Sequence, residues 1–284
     1  MKIKRVGIVG AGIMGSGIAH LVARATECEI ILIDVSKDAL AKAEVYHRKY
    51  VERMSKRKDI SAAVAKAVLE RVKTSLNIAD LGGSQLVIEA IKEDLETKKE
   101  VFRSLEEVVA SDTVLGSNTS ALSITSISMA VREPSRVIGL HFLNPAPIMK
   151  LVEVVRGVET SDDTFERAVA FCKALGKQVV VSADTPGFVV TRLAAMLLNE
   201  AICALHEGVA SAEDIDDAIK HAYNHPMGPL ALADLIGLDV VLSSLETLYR
   251  GYGDPKYRPC ILLRKLVEAG RLGRKTGRGF FEYE

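Results

Sequence analysis

The chain has 284 residues, 48% of them apolar and 26% charged, and its 37 basic and 37 acidic side chains give a formal net charge of zero. That composition is globular and long enough for two domains, and the charge balance excludes a global electrostatic case for nucleic acid or an anionic membrane surface. The four cysteines, Cys28, Cys172, Cys203 and Cys260, show no metal-type spacing and read as reduced structural thiols, while no segment reaches ~18 uninterrupted apolar residues and the N-terminal apolar run is short, glycine-broken and without a convincing cleavage site; a soluble, cytoplasmic protein without a metal site is the expectation.

Arg5–Val9 reads as a first strand, and Ile13–Ala25 as a helix that starts almost at once. Between and across them lies Gly10-Ala11-Gly12-Ile13-Met14-Gly15, a G-x-G-x-x-G pattern. Gly10 allows a tight turn, Gly12 lets a pyrophosphate approach the backbone, and Gly15 lets the helix pack closely on the sheet. The helix N-terminus then offers unpaired N–H groups and positive dipole to phosphates. The next strand, Glu29–Ile33, is followed by Asp34, an acidic residue where a ribose 2′-hydroxyl is expected. A carboxylate there repels a 2′-phosphate, so the spacing predicts NAD rather than NADP. A helix over Lys37–Lys58 follows. From Lys42 to Lys58 it carries seven Lys/Arg and two Glu, and Lys49, Arg53 and Arg57, four apart, form one stripe. Such a stripe is a solvated face or an anion-binding one.

Further apolar strands are expected at Leu86–Ala90, Thr113–Gly116, Val137–Leu140, Leu151–Val155 and Val179–Val181, with a helix over Leu95–Ala110. Apolar strands alternating with helices predict a doubly wound α/β domain with a parallel sheet covered on both faces. Near Asp184 the pattern changes. Pro186 and Gly187 punctuate, and Ala194–Leu205, Ala212–Ala222, Leu238–Tyr249 and Ile261–Ala269 are all of helical period. An all-α domain over 185–284 is therefore expected to follow an α/β domain over 1–184.

His141 ends the strand "RVIGLH" and opens the loop "FLNPAPIMK", and chemistry in open α/β sheets sits beyond the carboxyl ends of strands. Twelve residues later Glu153 lies inside the apolar strand "LVEVV", where an acid is costly unless paired. A strand–loop–strand return would bring it to His141, fixing the imidazole tautomer and favouring its protonated form after proton uptake. The polar cluster Ser117–Ser120 reads equally as site or as helix N-cap.

The blocks "GAGIMGSGIA", "SNTSALSIT", "GLHFLNPAPIMKLVEVV", "PGFVVTR", "NHPMGPLALADLIGLD" and "GRKTGRGFFEY" together resemble the L-3-hydroxyacyl-CoA dehydrogenase family, in particular its short-chain 3-hydroxybutyryl-CoA members, over essentially the whole chain. The resemblance implies a Rossmann-type N-terminal domain, NAD-dependent interconversion of L-3-hydroxyacyl-CoA and 3-ketoacyl-CoA, an active site in the cleft between domains, and a homodimer built mainly by the helical domain. By position it makes His141 the catalytic base and Glu153 its partner. Ser120 becomes a substrate and cofactor contact, Asn144 a residue near the nicotinamide, and Glu93 and Lys98 cofactor contacts. It also turns the Lys49, Arg53 and Arg57 stripe towards the phosphates of coenzyme A. After P-G-F the family has Asn-Arg; here Thr191 replaces the Asn that helps hold substrate. Two alternatives remain at this point: a same-fold dehydrogenase of a free hydroxy acid such as carnitine or a sugar acid, and a non-catalytic, crystallin-like dinucleotide-binding protein.

Overall fold

Short β-branched runs and longer helical ones alternate through the first part of the chain, and the computed structural model gives them their places. It describes residues 3–283; the outer limits of the two expected domains, 1 and 284, lie outside them. In chain order the first part runs β1 (Arg5–Val9), α1 (Ile13–Ala25), β2 (Glu29–Ile33), α2 (Lys37–Lys56), α3 (Ala62–Glu70), β3 (Val72–Ser75) and β4 (Leu86–Glu89). It continues through α4 (Leu95–Glu106), β5 (Val114–Ser117), α5 (Ile124–Ser128), β6 (Val137–Phe142), β7 (Leu151–Arg156), α6 (Asp162–Ala174) and β8 (Gln178–Ala183). The strands form one sheet in the order β3-β2-β1-β4-β5-β6-β7-β8.

From β3 to β6 all neighbours are parallel, and both faces of the central strands are buried. Val6, Ile8, Ile30, Leu32, Leu86 and Ile88 share one face, and Ile31, Val87 and Leu115 lie on the other. This is the doubly wound arrangement that continuous apolar strands require. The chain order reverses between β1 and β4, so the carboxyl ends of these two strands flank the crevice where such sheets take their ligands.

The fully parallel sheet is corrected at one edge. β7 pairs antiparallel with β6, and β8 runs parallel to β7. The physical reason is length: residues 143–150 separate the two strands, too few for a parallel crossover, which needs a dozen or more. Two further elements fall outside the expected ones. In β3, "VKTS" carries one apolar residue, and α3 is a short excursion of nine residues. The basic helix also ends earlier than its charge pattern suggests. Arg57 is the C-cap of α2, and Lys58 takes a left-handed φ of 59°, so neither continues the helix.

Contacts divide the chain into two units, Met1–Thr185 and Pro186–Glu284. The second consists of α7 (Val190–His206), α8 (Ala212–Tyr223), α9 (Pro229–Ile236), α10 (Leu238–Tyr252) and α11 (Ile261–Glu268), packed around Leu198, Ile202, Leu230, Leu245, Leu248 and Leu263. Two buried acids organise it. Asp216 accepts from the amides of Leu230 and Ala231 in the first turn of α9, and Asp234 accepts from the amides of Phe280 and Phe281 and from the Tyr283 hydroxyl. Pro229 at the first position of α9 masks that helix in the sequence while being well suited to start it.

In the first unit α1 and α2 are joined by a buried histidine pair. His20 Nδ1 lies 3.0 Å from His47 Nδ1, and His47 Nε2 donates to the Val68 carbonyl at 3.1 Å. His47 therefore presents a lone pair at Nδ1, His20 donates to it, and both rings are neutral. Burial, then His47 and Arg24, push His20 down to about 3, and burial lowers His47 as well. In the unfolded chain each histidine titrates near 6.5. Between that pH and the folded value the unfolded state binds more protons, so stability is complete above about 6.5 and falls as the pH drops towards 3. For His20 the expected loss is up to about 1.4 kcal/mol per pH unit over that range, and the lowered His47 adds in the same direction. Urea unfolding from pH 7 to 4.5 checks this: a His20→Gln chain, which keeps a donor towards His47, should lose stability with a shallower slope than the parent, and identical slopes would remove the pair from the account.

Candidate active site

β1 delivers the chain directly into the glycine turn. Gly10 has φ of 101°, and a Cβ there would meet the Ala90 carbonyl oxygen at 2.6 Å; one on Gly15 would stand 1.7 Å from the Gly10 carbonyl oxygen. Both positions are thus closed to any side chain. Gly12 differs: a Cβ there meets nothing within 4 Å, and it caps α1 without a side-chain hydrogen bond. Ile13, 74% exposed, follows it at the head of the helix, and Met14 is half-buried. An open backbone face, the positive end of α1 and an exposed apolar residue together suit a phosphate-bearing dinucleotide. Asp34, at the carboxyl end of β2, accepts from the Ala11 amide at 2.7 Å with one oxygen and from the Ser36 amide at 2.8 Å with the other. Its carboxylate is held beside the turn with acceptor sites to spare.

Across the switch point, the ends of β4, β5 and β6 are tied together by buried polar groups. Glu89, the last residue of β4, is fully buried. Its Oε1 accepts from Lys98 Nζ at 2.6 Å and from the Ile91 amide at 2.7 Å, and its Oε2 accepts from Ser117 Oγ at 2.6 Å. Lys98 is 1% exposed and also lies 3.4 Å from Glu93 Oε2. Glu93 Oε1 in turn gathers three donors: the Thr119 hydroxyl at 2.6 Å, the Ser120 amide at 2.7 Å and the Ala121 amide at 3.1 Å. Asn118 Oδ1 accepts from the Phe142 amide at 2.9 Å, one residue beyond His141. Glu93 therefore ties down the loop that carries Ser120, and Lys98 links Glu93 to Glu89.

The two readings of Ser117–Ser120 separate here. The N-cap of α5 is Ser123, whose Oγ accepts from the Ser126 amide. Asp184 supports that helix start by accepting from Ser123 Oγ and from the amides of Ile124 and Thr125. Ser117 to Ser120 belong instead to the strand-end network.

His141 and Glu153 are directly opposed residues of the antiparallel pair β6–β7. His141 Nδ1 lies 2.6 Å from Glu153 Oε2; the histidine is 5% exposed and the glutamate 0%. A carboxylate so deeply buried is tolerable when hydrogen-bonded to a partner able to carry positive charge. Donation from Nδ1 makes Nε2 the basic nitrogen.

The remaining expected residues lie on other elements. Asn144 is exposed in the loop of residues 143–150 that leads from His141 back to Glu153. Lys49 and Arg53 are exposed on α2 and Arg57 at its C-cap, and none of the three pairs with a carboxylate among the described residues. Thr191 is half-buried in the first turn of α7, in the second unit. Two buried groups close to the site go unnoticed in the sequence, Glu89 and Lys177. Glu89 carries the same signal as Glu153, an acid at an otherwise apolar strand. Lys177 follows a helix-ending glycine and has no such signal. Among the described residues no group of three or more His, Cys, Asp or Glu side chains is arranged to hold a metal ion, and no helix is long and apolar enough to cross a membrane.

Comparison with known proteins agrees over the whole chain. Residues 5–185 match the 3-hydroxyacyl-CoA dehydrogenase NAD binding domain, and residues 187–283 match the 3-hydroxyacyl-CoA dehydrogenase C-terminal domain. The probable 3-hydroxybutyryl-CoA dehydrogenase of Bacillus subtilis (strain 168) is 45% identical over 284 residues, covering 100% of this chain and 99% of that protein. The 3-hydroxybutyryl-CoA dehydrogenase of Bradyrhizobium diazoefficiens is 46% identical over 281 residues, 99% of this chain and 96% of its own. The crystal structure of (S)-3-hydroxybutyryl-CoA dehydrogenase from Ralstonia eutropha superimposes with a TM-score of 0.95 at 43% identity, covering 100% of both chains.

Two substitutions at the glycine turn separate packing from ligand approach. Gly15→Ala forces a methyl group into the Gly10 carbonyl and should cost about 1–3 kcal/mol or more in urea unfolding. Gly12→Ala meets open space and changes only the N-cap of α1, so it should cost about 1 kcal/mol or less. Its affinity for NADH, measured by calorimetry, should nevertheless fall severalfold. Unchanged NADH affinity in the Gly12→Ala chain would contradict the use of this face.

Proposed function

The chain belongs to the 3-hydroxyacyl-CoA dehydrogenase family, and from that premise we propose that His141 and Glu153 carry the proton transfer of an NAD-dependent 3-hydroxybutyryl-CoA dehydrogenase. The reaction class follows from the family: an L-3-hydroxyacyl-CoA is oxidised to a 3-ketoacyl-CoA, or the reverse. When bound, NAD accepts the hydride from C3 or returns it. His141 Nε2 takes the hydroxyl proton in oxidation and gives it back in reduction. Glu153 fixes the ring through Nδ1 and supplies the counter-charge as the imidazolium forms. The observation that carries this reading is the buried 2.6 Å contact between the two residues at the carboxyl end of a sheet strand. A protein retained only to bind a dinucleotide has no use for a buried carboxylate–imidazole pair.

Around this pair the reading assigns Ser120 and Asn144 to the substrate oxygen and the nicotinamide end of the cofactor. Glu93 and Lys98 are assigned as cofactor contacts, and Thr191 positions substrate in place of the family's Asn. Gly10, Gly12, Ile13, Met14, Gly15 and Asp34 hold the dinucleotide, with Asp34 selecting NAD by repelling a 2′-phosphate. The acyl chain is the short one named for the relatives. A homodimer through the helical unit is supported by the exposed apolar residues Leu193, Leu197, Leu235, Val240 and Ile261 on its helices. The cytoplasm is the compartment proposed for it.

Reduction of acetoacetyl-CoA by NADH is the deciding assay. His141→Ala should lower turnover by about 10²–10⁴-fold while NADH affinity stays close to that of the parent. Glu153→Gln should also lose turnover, because the imidazolium lacks its counter-charge. A fully active His141→Ala chain would exclude the mechanism, and equal activity on free acetoacetate would move the substrate to an unactivated hydroxy acid.

The stripe on α2 gives an independent measurement. Reversing Lys49 and Arg53 to Glu together should raise KM for acetoacetyl-CoA about five- to tenfold at low salt and spare that for NADH. The effect should shrink at ~0.15 M salt, where screening acts beyond about 8 Å. An unchanged KM at low salt would make the stripe a solvated face.

A further inference from the structure

The loop that joins the two halves of the dyad is held by a buried cation. Helix α6 ends at Ala174, and Gly176, with φ of 72°, turns the chain. The next residue, Lys177, is 8% exposed and stands immediately before β8. Its ammonium donates to the Ala146 carbonyl at 2.7 Å and to the Met149 carbonyl at 2.5 Å. Those carbonyls belong to a single helix-like turn in which the Pro145 carbonyl accepts from the amides of Ile148 and Met149. Such a turn leaves its last carbonyls without backbone partners, and a lysine meets them well. On the other side α1 abuts the same turn. A Cβ on Gly17 would lie 3.4 Å from Pro147 Cδ and 3.5 Å from Ala146 Cβ, and Arg24 reaches the Pro147 carbonyl at 3.5 Å.

The cation at Lys177 is unfavourable as a packing choice. It pairs with no carboxylate among the described residues, and burial lowers its pKa, with Arg24 adding to the effect. A methionine would fill the same space without the desolvation penalty. What the ammonium supplies and a methionine does not is a pair of fixed hydrogen bonds to residues 146 and 149. These lie on the one stretch of backbone connecting His141 to Glu153, in a loop that begins two residues after the histidine and carries Asn144. We infer that Lys177 is a positioning residue for this reaction: by clamping the turn at residues 145–149 it fixes the loop between the catalytic histidine and its glutamate. The inference rests on the dehydrogenase reading of the dyad, while the clamp itself can be tested without turnover.

The test compares the full-length parent with Lys177→Met and Lys177→Arg chains in three measurements: amide hydrogen exchange without ligand, NADH affinity by calorimetry, and reduction of acetoacetyl-CoA. In the Lys177→Met chain, exchange over residues 146–152 should accelerate about tenfold or more, while the glycine turn at residues 10–15 keeps its parent rates. NADH affinity should be unchanged. The kcat should fall about ten- to a hundredfold, the scale of a misplaced reacting group, with a smaller change in KM for NADH. Lys177→Arg, which keeps a cation with several donors, should recover most of both effects. Parent-like exchange in Lys177→Met overturns the clamp. Accelerated exchange with parent kcat overturns its role in the reaction. An equal loss in Lys177→Met and Lys177→Arg, together with a lowered Tm, reduces the residue to packing. Should Lys177→Met fail to fold, Lys177→Gln carries the same three measurements. A parent chain that does not reduce acetoacetyl-CoA defeats the dehydrogenase reading, whereas the exchange result still decides the clamp.

Discussion

Glu153 is a carboxylate with no exposed surface in the middle of an apolar strand, and the edge of the sheet is arranged around its need for a partner. An unpaired charge at such a depth costs several kcal/mol. His141 answers it because β7 returns antiparallel to β6, which sets the two residues directly opposite each other. A parallel strand would need a crossover on one face of the sheet and would pair different residues. The short connection over 143–150 is therefore a requirement of the site as well as a feature of the fold. It also leaves a loop at the mouth of the dyad, which Lys177, Arg24 and the packing of α1 hold from two sides.

At the neighbouring strand ends a fully buried acid, Glu89, works beside an exposed one, Glu93. Glu89 closes β4 and binds Lys98, Ser117 and the Ile91 amide, while Glu93 draws in the loop that carries Ser120. Asn118 then joins that loop to the end of β6. Around the buried Glu89 and Asn118 these bonds lie in a low-dielectric setting, where they are directional and costly to break, so they restrict the strand ends more tightly than apolar packing alone. The exposed Lys49, Arg53 and Arg57 contrast with them. Charges in water act at range, weakly and in a salt-dependent way, which suits drawing in a charged ligand rather than holding a geometry.

Much of the molecule was legible in the sequence. The period of apolar residues placed β1, α1 and β2 within the glycine turn's reach, because buried parallel strands must be apolar throughout and α1 must follow at once for Gly15 to pack on Gly10. The spacing of Gly10, Gly12 and Gly15 carried a steric requirement that no other residue meets at two of those positions. An acid inside "LVEVV" carried an energetic one, and the nearest histidine at a strand end was its natural answer. Family resemblance added the class of reaction, which does not follow from spacing.

What the chain could not declare residue by residue are partnerships whose cost appears after folding. β3 has a weak local pattern and exists because the sheet edge accepts it beside β2. Glu93 and Lys98 are expected as cofactor contacts, and the bonds of Glu93 to the Ser120 loop and of Lys98 to Glu89 and Glu93 appear only after folding. The N-cap of α5 falls on Ser123 rather than on the serines before it, since Asp184, far along the chain, supports that start. Lys177 gives no local sign of importance, and its meaning lies in two carbonyls about thirty positions away. Periodicity and steric exclusion are local and survive in the sequence, whereas the pairing of a buried charge depends on which groups the fold brings within hydrogen-bonding distance, and the tertiary structure alone decides that.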